Sequence, residues 1–397
     1  MIHRYQKKGL NFVLDVNSGA VHLLDDISYA VSGLLDENMG DTCPQSIIDA
    51  LPDYTADEIR EAYDELYELK KAGQLFAQDD YIDVSRYIPV NAPVKALCLH
   101  VAHDCNLRCQ YCFASTGDFG QGRKIMPPEI AKKAIDFVIA RSGVRHNIEV
   151  DFFGGEPLMA WDTVTQTVDY ARSLEEKYNK KFRFTITTNG LLLDEDKRKY
   201  INENMDNCVL SLDGRREVND EFRKTVAGTG SYDTIVPKFK ALVDERDPNL
   251  DYYARGTFTS HNLDFAEDVL SIADAGFDRL SVEPVTADPG CGYDLTEDDL
   301  PKIEAEYDRL TDIMLERKKE GKPFTFFHFM VDLDQGPCVV KRLRGCGAGY
   351  EYVAVTPDGD IYPCHQFVGK DEFKQGSVLD QSFNMDIAQK FAGMNIY

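Results

Sequence analysis

Between residues 95 and 319 the sequence repeats one rhythm: a short apolar run of strand length, then a longer stretch with helical spacing. The strand-like runs are 95–101, 147–153, 182–188, 208–212, 252–259 and 279–285. The helix-like stretches that follow them are 127–142, 163–178, 195–204, 232–244, 265–276 and 297–319. Strands separated by helices of this length cannot form hairpins. They pair in parallel through right-handed crossovers. Six such units predict an α/β fold: an open, partial (β/α)6 TIM-like barrel, with a doubly wound sheet as the alternative.

The flanks differ. Residues 1–78 open with a hairpin pattern over 11–24, turned at Asn17-Ser18-Gly19, and continue with helical patterns at 27–35, 44–51 and 55–75. Asp53 or Thr55 can cap the last helix, and Ile59, Ala62, Tyr63 and Leu66 share its apolar face. This predicts a separate winged-helix-like module. Residues 79–94, with Pro89 and Pro93, predict a linker. Beyond residue 324, strand patterns at 350–355 and 361–365 flank Pro357-Asp358-Gly359-Asp360, a hairpin signal.

The 397 residues carry 44 Lys and Arg against 68 Asp and Glu, a formal charge of −24. That balance argues against a general nucleic-acid or anionic-membrane binder. No run reaches the apolar length of a membrane span, and the N-terminal residues lack an apolar signal core, so a cytoplasmic protein is expected. In a reducing compartment ten cysteines point to metal ligation over disulfides. Cys98 and Cys208 lie inside apolar strand runs and read as small buried residues.

The segment Cys105-Asn-Leu-Arg-Cys109-Gln-Tyr-Cys112 follows the first strand. Three thiolates at this spacing hold three corners of a cubane cluster, which ordinarily takes four cysteines. With no fourth Cys nearby, one iron is left for another ligand. The competing reading is a Cys3His zinc site with His103 as fourth ligand. Further groups fall at the C-terminal strand ends, where parallel barrels do their chemistry. They are Gly154-Gly155-Glu156-Pro157, Thr187-Thr188-Asn189-Gly190 and Ser211-Leu212-Asp213-Gly214, with Arg255 and Thr257 in the fifth strand and Glu283 in the sixth. Taken singly each is an ordinary turn or strand end; together they mark one face.

This set resembles the radical S-adenosylmethionine enzymes. Their CxxxCxφC motif, with an aromatic at φ, is matched by Cys105, Cys109, Tyr111 and Cys112, and their GGEP motif by residues 154–157. The resemblance covers residues 95–323. It implies a [4Fe–4S] cluster whose free iron is chelated by the amino and carboxylate groups of S-adenosylmethionine. It also implies reductive cleavage of that sulfonium to methionine and a 5′-deoxyadenosyl radical. In this frame Glu156, with the backbone beside Gly154 and Gly155, suits the ammonium. Ser211 and Arg223 are candidates for the carboxylate, Asn189 for the ribose, and Tyr111 or Phe113 for the adenine. Asp213 and Glu283 are candidate catalytic proton acceptors. The GGEP motif tells against zinc.

Cys346, Gly359 and Cys364 show the spacing Cx12Gx4C, which resembles the start of a SPASM domain, a carrier of auxiliary iron–sulfur clusters. The CxxCx5CxxxC run that continues that pattern is absent from residues 365–397. An incomplete SPASM extension over 324–397 is therefore expected, with Cys338, Cys346 and Cys364 as local ligands of an auxiliary [4Fe–4S] cluster. Residues 1–78 resemble the RiPP recognition element, a PqqD-like module that takes a leader peptide as an added strand. The combination looks like peptide maturases, most of all the SCIFF maturases. That resemblance implies sactipeptide-type thioether crosslinks, from Cys to carbon, in a cysteine-rich precursor peptide. It implies flavodoxin or ferredoxin as electron donor, and no nucleic-acid or membrane partner. A sulfatase-maturating, formylglycine-forming enzyme and a non-catalytic precursor-binding protein are the alternatives.

Overall fold

The computed structural model describes residues 1–79, 92–331 and 345–395. They form two compact units, one built on residues 1–79 and the other on residues 92–330 and 346–392. The linker expected at 79–94 falls largely outside the described residues, and Cys338 falls wholly outside them.

In the first unit β1 (Ile2–Lys7), β2 (Leu10–Asp15) and β3 (Val21–Leu24) form an antiparallel sheet in that order. The sequence pattern predicts only the β2–β3 hairpin. Strand β1 escapes it because Arg4, Gln6 and Lys7 leave no apolar alternation. Its turn is Lys8-Gly9, with φ of 52° and 74°, the left-handed pair that tight hairpins favour. Three helices follow: α1 (Asp26–Ser32), α2 (Gln45–Ala50) and α3 (Ala56–Lys71). Thr55 caps α3, and Glu58 returns a bond to the Thr55 amide, a reciprocal capping box. Val13, Val31, Ile59, Tyr63 and Leu66 form this unit's own core.

The second unit begins with β4 (Ala96–His103), β5 (Leu107–Cys109), β6 (Lys124–Ile125) and α4 (Pro128–Arg141). Next come β7 (Asn147–Gly154), α5 (Trp161–Tyr178), β8 (Lys181–Thr188) and α6 (Glu195–Asn204). Then β9 (Asn207–Ser211), α7 (Arg216–Phe222), β10 (Arg223–Thr225) and α8 (Tyr232–Asp244) follow. The barrel closes its count with β11 (Asp251–Phe258), α9 (Phe265–Asp274), β12 (Arg279–Pro284), α10 (Leu300–Lys319) and β13 (Thr325–Phe326). The C-terminal part adds β14 (Tyr352–Val355), β15 (Asp360–Tyr362), β16 (Gly376–Ser377), β17 (Ser382–Phe383) and α11 (Met385–Ala392).

The main sheet runs β13-β12-β11-β9-β8-β7-β4-β14, parallel throughout, so the predicted (β/α)6 rhythm holds. One feature was not foreseen. The C-terminal hairpin does not stand apart: β14 pairs in parallel with the free edge of β4, and β15, β16 and β17 extend the sheet antiparallel. An uncovered β4 edge would expose unpaired backbone groups, and β14 satisfies them.

Side chains alternate across each strand. Leu97, Leu99 and Val101 of β4, Ile148, Val150 and Phe152 of β7, and Phe182, Phe184 and Ile186 of β8 are fully buried in the main core. Burying each Phe contributes about 1.5–3 kcal/mol, and Phe152 stacks on Phe184 at 5.7 Å. The alternate residues, among them Phe153, Thr187, Ser211, Arg255 and Glu283, face the other way and meet at the site.

Candidate active site

β4 runs out at His103, and the chain passes through Asp104 into a short ladder in which β5 pairs with β10, setting Cys109 opposite Arg223. Cys105, Cys109 and Cys112 line a cavity of about 260 Å³ at the C-terminal ends of the strands. Gly154, Gly155 and Glu156 after β7, Asn189 after β8 and Ser211 on β9 line it too. So do Tyr111, Phe113, Arg223, Arg255, Thr257 and Glu283. Asp213 is not part of the lining.

The two glycines serve the cysteine loop directly. A Cβ on Gly155 would stand 2.1 Å from the Asp104 carbonyl oxygen, and one on Gly154 would stand 2.2 Å from that of Ala102. Those same carbonyls accept the Glu156 amide at 2.9 Å and the Gly155 amide at 2.7 Å. The loop is stitched to the end of β7 by a backbone approach that only glycine permits.

Burial, first of all, pushes Cys105 and Cys109 up to about 12 and raises Cys112. The Glu156 charge adds to the rise at Cys105, whereas Arg223 opposes it at Cys109. Three such thiols lose their protons together only to a strongly cationic partner. The donor set fits a cubane, in which each thiolate takes a different iron. Among the described residues no three His, Cys, Asp or Glu side chains converge closely enough for a single metal ion. His103, the fourth ligand of the zinc reading, is engaged elsewhere: its Nε2 lies 3.1 Å from His100 Nδ1, and its ring stacks on Phe119.

Glu156 is fully buried. Its Oε1 accepts from the Leu158 amide at 3.0 Å and the Thr188 hydroxyl at 2.8 Å, and its Oε2 from the Asn189 amide at 2.8 Å. Burial pushes its carboxyl up to about 7 against the pull of these bonds. Glu156 therefore ties β7 to β8, and contact with an ammonium would be its second task. Asn189 is committed as well. Its Nδ2 donates to Asn106 Oδ1 at 2.8 Å and reaches Cys105 Sγ at 3.6 Å, while its Oδ1 accepts from the Leu191 amide. It holds the cysteine loop.

Asp213, expected as a proton acceptor, stands behind the wall among protein donors. Its fully buried carboxylate accepts from the Tyr111 hydroxyl at 2.7 and 2.9 Å, from Arg223 at 2.9 Å and from the Thr257 amide at 3.0 Å. A carboxylate with this many donors is an anchor. Arg223 is only 9 % exposed and stands 5.6 Å over the Tyr111 ring. Burial works against its charge, but Asp213 and Tyr111 outweigh that and hold it protonated. Glu283, the other candidate base, forms a two-bond ion pair with Arg255. Burial opposes its charge, yet Arg255 and Ser281 hold its carboxyl below the usual range, which weakens it as a base.

The C-terminal part completes the wall with His365 and Gln366. The His365 ring lies 5.1 Å from that of Phe153 and 5.5 Å from that of Phe113. Burial pushes it down to about 4. Sequence reasoning missed it, although its place beside Cys364 was a usable signal. Cys364 is raised by burial first, with the charge of Cys346 adding to the rise.

Residues 99–253 match the Radical SAM superfamily, and residues 346–391 match SPASM, an iron-sulfur cluster-binding domain. The barrel is a Radical SAM domain, and the C-terminal part carries a SPASM domain. Together they imply a [4Fe–4S] cluster with S-adenosylmethionine, and auxiliary iron–sulfur binding. Among relatives, a cysteine-type anaerobic sulfatase-maturating enzyme of Clostridium novyi is 25% identical over 71% of this chain and 75% of its own length. The mycofactocin maturase MftC of Mycobacterium ulcerans is 28% identical over 73% of each. An uncharacterized protein of Archaeoglobus fulgidus is 25% identical over 71% of this chain, which spans 64% of that protein, less than two thirds. Two solved structures share the fold. Native anSMEcpe with bound AdoMet has a TM-score of 0.63 at 20% identity, covering 77% of this chain and 84% of its own. Streptococcus suis SuiB bound to S-adenosylmethionine has a TM-score of 0.51 at 17% identity, covering 95% and 85%. No helix among the described residues is long and apolar enough to cross a membrane.

Proposed function

We propose that this protein is a radical S-adenosylmethionine enzyme that forms Cys-to-carbon thioether crosslinks in a cysteine-rich precursor peptide, in the manner of SCIFF maturases. One observation carries the reading: Cys105, Cys109 and Cys112 line the same cavity as His365, the residue that follows Cys364 in the C-terminal part. When bound, the cluster and S-adenosylmethionine supply a 5′-deoxyadenosyl radical able to take hydrogen from an inert carbon. The chain's own residues position the reaction. Asp213 fixes Tyr111 and Arg223 in the wall, Asn189 and the two glycines seat the cysteine loop, and Phe113 and Phe153 keep one side of the cavity apolar. For each bridge the substrate carbon loses a hydrogen atom and the peptide thiol a proton. One electron passes to an acceptor of the flavodoxin or ferredoxin class as the C–S bond closes.

The first unit suits the leader. Strand β3 lies at one end of its sheet order, with backbone available for an added strand. The test is anaerobic turnover with a reductant, S-adenosylmethionine and peptides carrying Cys and Thr, read by mass spectrometry. Loss of two hydrogens per bridge supports the proposal. Unchanged peptide with released 5′-deoxyadenosine rejects it. The second reading, formylglycine formation, is favoured by the match to the sulfatase-maturating enzyme. Its product from Cys lacks sulfur, so the same spectrum separates the two.

A further inference from the structure

The ionisable side chains on the cavity wall, cysteines apart, are nearly all committed to partners within the protein. Tyr111 and Arg223 bond Asp213, Glu156 takes three donors, and Arg255 and Glu283 bond each other. His365 is the exception. Its Nδ1 is shut off from solvent and, among the described residues, has no hydrogen-bond partner, while the residue lines the cavity. An imidazole with an unpaired nitrogen at a cavity wall gives up hydrogen-bond energy unless something that enters the cavity bonds it. Its surroundings describe that visitor. The Phe113 and Phe153 rings flank it at 5.5 and 5.1 Å, which suits a soft, polarisable atom such as sulfur. Cys364 precedes it in the chain, so a group bound here lies next to the C-terminal part that carries this cysteine.

We infer that His365 is a positioning residue for the substrate, hydrogen-bonding the peptide thiol that is to be joined to carbon and seating its sulfur against Phe113 and Phe153. The inference rests on the thioether reading and adds the residue that selects the thiol. Two consequences follow from the geometry. Loss of the imidazole leaves radical generation without a placed acceptor, so radicals are spent without bridges. A side-chain amide at this position restores part of the bond, since it too offers a donor and an acceptor.

The experiment compares wild type with His365→Ala, His365→Asn and His365→Gln as anaerobic holoenzymes. The probes are synthetic peptides with one Cys and one Thr at varied separation, and matched peptides with Ser in place of Cys. The readout is modified peptide per 5′-deoxyadenosine, which a purely structural defect lowers in neither term selectively. For His365→Ala that ratio should fall about tenfold, the loss of one hydrogen bond in the transition state, with KM for the Cys peptide raised and partial recovery in Asn or Gln. A wild-type ratio in all three variants overturns the role of His365 while leaving the thioether reading intact. A wild-type enzyme that modifies the Cys peptides without forming bridges overturns the thioether reading. If no Cys peptide is altered by the wild type, both fall.

Discussion

Replacing Asp213 by Asn separates an anchor from a proton acceptor. Asp213 is fully buried and Arg223 is 9 % exposed, so the charge on Arg223 has little water to fall back on. An Asn at this site still accepts from Tyr111 or the Thr257 amide, but it no longer neutralises the guanidinium. Removing one member of a buried pair leaves the other uncompensated and costs about 3–5 kcal/mol. Removing both, as in Asp213→Asn with Arg223→Met, should cost less than the sum of the two single changes by about 1–3 kcal/mol. Guanidinium unfolding of the anaerobic protein measures this, with the midpoint falling and the slope unchanged. If Asp213→Asn stays within about 1 kcal/mol of wild type yet abolishes turnover, the carboxylate is a proton acceptor and the anchoring account is wrong.

Three further outcomes are expected. Gly155→Ala places a Cβ 2.1 Å from the Asp104 oxygen, so iron and sulfide per chain should drop by more than half, whereas Gly40→Ala, with nothing within 4 Å, should retain wild-type content. Asp151 is pushed up to about 6 by burial, then by the Glu149 charge, with Thr185 opposing. Its folded value lies above the unfolded one, so its contribution is fully present below about pH 4 and is lost as pH rises through about 6. Asp151→Asn should remove that loss, worth about 2–3 kcal/mol, and unfolding midpoints that keep the wild-type pH profile would count against it. Asn189→Ala removes a donor near Cys105 Sγ, so the cluster's reduction potential should become more negative, as followed by an anaerobic redox titration.

The barrel was legible because its strands and helices each obey their own periodicity and the strand ends carry the glycines and polar groups that parallel folds place there. Helices 195–204 and 232–244 fall where the spacing puts them. Strand β1 was hidden by its polar residues, and the docking of β14 on β4 was hidden because pairing partners far apart in sequence leave no local trace. At the site, residue identities were legible but their allegiances were not. Asp213, Glu156 and Asn189 look like ligand-binding groups in the sequence, yet tertiary contacts commit each to protein donors or acceptors. His365 had its place beside Cys364 as a signal, but the pairing of β14 with β4, which joins its segment to the barrel sheet, leaves no local trace.

The central claim is that Cys105, Cys109 and Cys112 hold a cubane with one iron open to S-adenosylmethionine. Electron paramagnetic resonance of the dithionite-reduced protein, recorded with and without S-adenosylmethionine, tests it most directly. The account predicts a shifted cluster spectrum on addition, absent from a variant with all three cysteines changed to alanine. A reduced-cluster signal in wild type that does not change when S-adenosylmethionine is added would contradict it.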